Sequence, residues 1–206
     1  MGNFKPSAAR SDRGQSQRRA PRAPFRGAQG DRAASTAGQP VKTTTYASPS
    51  GEVVRVIVLG GLEEVGRNCT LIEYKNDIIF VDMGLQFPDE DMPGVDYIIP
   101  NMTYLKGKEQ NVRGIIITHG HYDHIGAIPH VMASIGNPTV YALPVAAGII
   151  KKRQTDFPES KVTVKPITID TELQLGVFKV HFFHINHNIP DSAGIVIETP
   201  AGTICH

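Results

Sequence analysis

The sequence predicts a layered α/β fold, mixed in the α+β sense, with sheet packed on sheet and helices outside. Three observations carry this. Strand-like runs outnumber helical ones, the two helical runs lie together in the middle of the chain, and several strands follow one another with no helix between. A doubly wound sheet would alternate strand and helix throughout. The 206 residues allow one domain of ordinary size plus an appendage, and 40% hydrophobic with 20% charged residues is a globular balance.

The first strand, over residues 53–59, ends at Gly60-Gly61. Residues 69–74 and 78–82 read as the arms of a hairpin around Lys75-Asn76-Asp77. Residues 112–118 form a strongly apolar strand, followed at once by His119. Helical spacing over 124–135 stops at the breaker Gly136-Asn137-Pro138. A short strand over 139–142 leads into a second helix over 144–153. Its last turn holds Lys151, Lys152 and Arg153, which suits the negative end of the helix dipole. Further strands are expected over 162–169, 177–183, 194–198 and 203–205, with turns at Asp170 and Pro200-Ala201-Gly202.

Charge divides the chain near residue 50. Residues 1–50 hold nine Lys/Arg against two Asp, a net +7, in a setting of Gly, Pro, Ser and Ala. Such a segment cannot bury enough surface to offset its ordering entropy, so a disordered basic tail is expected over 1–50. Residues 51–206 carry 12 basic and 18 acidic groups, a net −6. That asymmetry points to a polyanionic partner for the tail. Two cysteines, Cys69 and Cys205, are too few for a disulfide framework and are expected to be buried free thiols. No apolar run approaches the ~18 residues of a membrane span, and no apolar stretch follows the basic N-terminus as in a signal peptide. The sequence therefore predicts a cytoplasmic protein without membrane contact.

The chemistry concentrates in Thr118-His119-Gly120-His121-Tyr122-Asp123-His124. On an extended backbone the side chains at i and i+2 point the same way, so His119 and His121 can converge on one ion. Asp123 and His124 follow the turn and can face a second. Neutral imidazoles and carboxylates bind zinc at about 2.0–2.2 Å. Two ions about 3.5–4 Å apart clamp an in-line displacement at phosphorus. A histidine-rich surface loop is the bland alternative, and four metal-ligating groups at a strand exit argue against it.

This His-x-His-x-Asp-His run resembles the signature of the metallo-β-lactamase superfamily, which implies an αββα sandwich and a further His from a later loop. His130, His181, His184 and His187 are the candidates. His130 falls within the first helical run and His181 within a strand, which favours structural roles; His184, just past that strand, remains open. The run His187-Asn188-Ile189-Pro190-Asp191-Ser192 is similar to a His-x-Ile-Pro-Asp-Ser element of the ribonuclease J family, and on that resemblance His187 is the third ligand of the first ion. The runs 60–68, 82–88, 91–97 and 124–129 also resemble that family, although Glu63 stands where a Gly is expected. Asp82 matches the superfamily's Asp that orients the metal-binding loop from behind the ligands. A plain turn-capping role is its alternative.

The resemblance implies two Zn2+, with Mn2+ as an alternative. It places His119, His121 and His187 on one ion and Asp123 and His124, the expected catalytic pair, on the other. It further implies a ribonuclease with 5′-to-3′ exonuclease and endonuclease action on single-stranded RNA, working in RNA processing and decay, rRNA included, as a homo-oligomer at full length. Residues 51–206 would then be the N-terminal part, the first half only, of the sandwich, truncated before an inserted β-CASP domain. A bridging Asp and a later His would complete the seven ligands of which five are present, so this stretch by itself is expected to be inactive, with apolar runs such as 115–117 and 195–197 partly uncovered. A thioesterase or lactonase of the same fold and a catalytically dead RNA-binding scaffold are the rival readings.

Overall fold

The structure, a computed structural model, describes residues 42–47 and 51–206. The described strands are β1 (Lys42–Ala47), β2 (Val53–Gly60), β3 (Cys69–Tyr74), β4 (Asp77–Val81), β5 (Val112–Ile116), β6 (Val140–Ala142), β7 (Val164–Pro166), β8 (Leu173–Leu175), β9 (Phe178–His184), β10 (Ala193–Thr199) and β11 (Gly202–Cys205). The α-helices are α1 (Tyr122–Ile125), α2 (Ile128–Val131) and α3 (Pro144–Gln154). The first seven strands form one sheet in sequence order, and the last four form a second in the order β11-β10-β9-β8. Pairing is antiparallel from β1 to β4 and parallel from β4 to β7. A parallel pair needs a crossover connection; α1 and α2 supply the one from β5 to β6, and α3 the one from β6 to β7.

Alternation at period two sorts the side chains into two cores. Leu71, Ile78, Phe80, Ile115 and Ile117 pack with Ile125, Ile128, Ala146 and Ile150 of the helices. Their neighbours Ile72, Ile79, Val81 and Ile116 point the opposite way and pack against Leu175, Phe178, Val180, Ile195 and Ile197 of the second sheet. The described residues thus form three layers, helices on sheet on sheet. A fully buried Phe80 or Phe178 contributes ~2–3 kcal/mol of transfer free energy to each core.

Most predicted elements form where the sequence placed them, and the differences have local causes. The helical run 124–135 breaks into α1, α2 and a 3-10 turn, because Pro129 has no N–H to carry the ladder through. The strand expected over 162–169 shrinks to Val164–Pro166. β8, not foreseen, is only three residues long and turns into β9 through Gly176 at φ 61°. Residues 42–47, read as tail, pair with β2 as β1, so the folded part begins before residue 51. The rest of the expected disordered tail lies outside the described residues. Cys69 is buried as expected, but Cys205 is exposed. Ile115–Ile117, Ile195 and Ile197, expected to be partly uncovered, are fully buried between the layers. Glu63, which replaces the expected Gly, adopts φ 60°, a conformation that costs a side-chain-bearing residue ~1 kcal/mol.

Candidate metal centre

The site begins with β4 and β5, whose parallel pairing continues one residue past β4 as Asp82 N–H donates to the carbonyl of Ile116, the last residue of β5, at 2.9 Å. Asp82 is buried and takes φ 61°, which turns its carboxylate across to the neighbouring chain. There it accepts the Thr118 N–H at 2.8 Å and the Thr118 hydroxyl at 2.8 Å. Its Oδ2 also lies 2.7 Å from His124 Nδ1, so that nitrogen carries the proton and Nε2 is bare. The Thr118 hydroxyl, committed to Asp82, accepts from His119 Nδ1 at 3.0 Å. The same carboxylate therefore sets the tautomer of His124 directly and of His119 through one hydroxyl.

The bare Nε2 of His119 lies 3.1 Å from Nδ1 of His121, which lies 3.3 Å from Nε2 of His187. Two donors on one tetrahedral zinc, each ~2.1 Å from it, stand roughly 3.4 Å apart. The three nitrogens all fall within 4.8 Å of one another, with His119 buried, His121 half-buried and His187 exposed. A single ring nitrogen facing two others at these distances cannot hydrogen-bond to both, whereas a shared cation satisfies all three. Donor set and spacing fit a divalent metal with one open side. Burial, aided by the neighbouring His124, pushes the His119 pKa down to about 4, which keeps it neutral as a ligand must be.

A pair stands beside this trio. His124 Nε2 and Asp123 Oδ2 are 3.5 Å apart, again a spacing that one ion could bridge. Burial works against a charged His124, but the hydrogen bond and charge of Asp82, with Asp123 behind it, outweigh this and raise its pKa above the usual value.

The supporting backbone explains how distant segments meet. Gly120 sits against Ala146 and Ile149 of α3, and a Cβ there would lie 2.9 Å from the Ile149 side chain. Asp191, at φ 58°, accepts the Val145 N–H at the start of α3 and pins the loop that carries His187. Ala193 N–H donates to the Thr118 carbonyl at 3.0 Å, joining the second sheet to the run over residues 118–124.

Of the sequence candidates, His119, His121 and His187 come together, Asp123 and His124 stand beside them, and Asp82 lies behind. The other histidines go elsewhere. His130 packs between Tyr97 and Phe157, His181 bonds Glu172 and Glu198, and His184 faces Asn186. Sequence reasoning assigned no role to Thr118 or Asn68, both of which touch the ligand candidates; a hydroxyl next to the first His was the available signal for Thr118.

The family model described as "Metallo-beta-lactamase superfamily" matches residues 62–205. The chain is 42% identical over 152 residues to "Ribonuclease J 1" of Streptococcus pyogenes, covering 73% of this chain and 27% of that protein. It is 38% identical over 152 residues to "Ribonuclease J" of Mycoplasma genitalium, covering 73% of this chain and 26% of that one. The chain thus spans about a quarter of the length of these curated relatives. Among solved structures, the metallo-beta-lactamase fold protein YhfI from Bacillus subtilis superposes with a TM-score of 0.53 at 17% identity, covering 74% of this chain and 61% of that one. At that identity the likeness speaks for the fold.

Proposed function

The chain belongs to the metallo-β-lactamase superfamily, and from that premise we propose that it forms the metal-binding part of a ribonuclease J-like phosphodiesterase acting on single-stranded RNA. The observation that carries the proposal is the convergence of His119, His121 and His187 on one point, with Asp123 and His124 beside it. In this reading the three histidines would hold one divalent ion and the Asp123–His124 pair part of another. Zinc suits the nitrogen-rich set, and manganese is the alternative. The bound metal supplies Lewis-acid polarisation of a phosphoryl oxygen and an activated water at neutral pH.

The chain's own residues orient rather than react. Asp82 and Thr118 hold the His124 and His119 imidazoles in the tautomers that leave Nε2 free, which removes the cost of reorganising them when a cation arrives. His187 leaves one side of the site exposed, and in this reading a strand of RNA would reach the site from there. The relatives' name supports RNA as substrate, and both exonuclease and endonuclease action are proposed with it. A homo-oligomer and a place in the cytoplasm complete the proposal, and no helix among the described residues is long and apolar enough to cross a membrane. The basic residues 1–41 are proposed to add loose electrostatic contact with the same RNA.

The test is cleavage of end-labelled single-stranded RNA by the full-length protein, stripped of metal and then given Zn2+ or Mn2+. Cleavage should need the metal and fall by 1,000-fold or so in His121→Ala, an order expected when a ligand of the metal is lost. Equal rates for the wild type and His121→Ala would sink the assignment.

A further inference from the structure

We infer that Asn68 is the positioning residue of the Asp123–His124 pair, and that the glycine-rich loop over residues 60–68 is built to present it. The inference rests on reading that pair as metal ligands. Asn68 Nδ2 lies 3.1 Å from the Asp123 carbonyl oxygen, 3.2 Å from Asp123 Oδ2 and 3.2 Å from His124 Nε2. All three neighbours are acceptors, which fixes which end of the amide is nitrogen. Two N–H groups serve the two oxygens of Asp123 and leave the His124 lone pair unclaimed. The carboxylate is thereby swung beside the imidazole with no added charge. A Lys here would compete with a cation, and a carboxylate would repel Asp123 until a cation came.

The loop's composition follows from this task. Asn68 N–H also donates to the Asp123 carbonyl at 2.9 Å, and Gly84 N–H donates to the Asn68 carbonyl at 2.8 Å. A Cβ on Gly61 would stand 2.4 Å from Asn68 Oδ1, and one on Gly60 would stand 2.4 Å from the Arg67 carbonyl. Gly61 at φ 89° and Arg67 at φ 54° turn the chain back on itself. Glu64 then closes the turn by accepting the Gly61 N–H at 2.9 Å and pairing with Arg67. A cavity of about 160 Å³, bounded in part by Gly60, Gly61, Asn68 and Asp82, reaches His124 of that pair.

The experiment titrates Zn2+ into the metal-free full-length protein by calorimetry, comparing the wild type with Asp123→Ala, Asn68→Ala and Asn68→Asp. Wild type should show two binding steps, and Asp123→Ala should lose one of them. Asn68→Ala should weaken that same step by about 10–100-fold, the usual effect of removing a group that orients a ligand, and leave the other unchanged. A merely structural defect would move both steps. Asn68→Asp should unfold at lower temperature than wild type without metal and gain more from Zn2+ than wild type does. If Asp123→Ala removes a step but both steps are intact in Asn68→Ala, the role of Asn68 is overturned and the ligand reading stands. If Asp123→Ala binds as wild type does, the ligand reading falls and this inference with it.

Discussion

Two carboxylates are buried among the described residues, and they do different work. Asp82 accepts a strained φ in order to serve two imidazoles, so its setting is bent to the site. Glu73, on β3, serves the fold. Its oxygens accept the Tyr104 hydroxyl at 2.5 Å and the Lys108 ammonium at 3.1 Å, with Arg55 close by. Burial opposes ionisation of Glu73, but these hydrogen bonds and charges outweigh it and hold its pKa below the ordinary value. A depressed folded pKa means stability that is fully present above the unfolded pKa of ~4.3 and is lost as pH falls through the folded value. Urea unfolding at a series of pH values between 6 and 3 should therefore show a shallower acid loss in Glu73→Gln than in wild type. Parallel curves would mean that the Tyr104–Lys108 cluster contributes nothing to acid stability.

At the scale of elements, glycines mark where segments touch and where they do not. Gly84 follows β4 in the stretch that crosses the run over residues 118–124, and a Cβ there would meet the Asp123 carbonyl at 1.5 Å. No rotamer relieves a backbone clash, so Gly84→Ala should cost at least ~3 kcal/mol and displace Asp123. Gly148 lies in the interior of α3, exposed, with nothing within 4 Å of its missing Cβ. Gly148→Ala should stabilise by ~0.5–1 kcal/mol, since Ala has the better helix propensity and an unfolded chain with less freedom to lose. Paired denaturation curves check both signs, and a neutral Gly84→Ala would show that the two segments are not held as closely as described.

At the scale of the whole molecule, the shared sheet couples two cores. One face of the seven-stranded sheet is covered by helices and the other by the second sheet, so the run that follows β5 is held from both sides. β1 belongs to this sheet, which changes how the basic N-terminal segment is to be removed in a test. Deleting residues 1–41 keeps β1 and removes eight of the nine basic groups before residue 51. The shortened protein should turn over short RNAs at the wild-type rate, and the fall of its RNA affinity with log salt should be less steep, because fewer phosphates are neutralised. An unchanged salt slope would remove RNA contact from the roles of that segment.

The sequence by itself determined the layered class, the places of most strands and the run from His119 to His124, because these depend on local rules. Period-two alternation sorts side chains between two faces, and donors at i and i+2 converge on an extended exit. It also exposed His187 and Asp82 as candidates, though only through a family resemblance. Tertiary structure decided the rest. His187 comes from the second sheet, 66 residues from His121, and reaches it because the loop before β10 is fastened to Thr118 and to the start of α3. Asn68 lies 55 residues from Asp123 and Asp82 36 from Thr118, distances at which periodicity carries no information. Contacts of that kind exist only once the helices and the second sheet have closed on opposite faces of the first, since it is the burial of Phe80 in one core, Phe178 in the other and their neighbours that holds the segments in register.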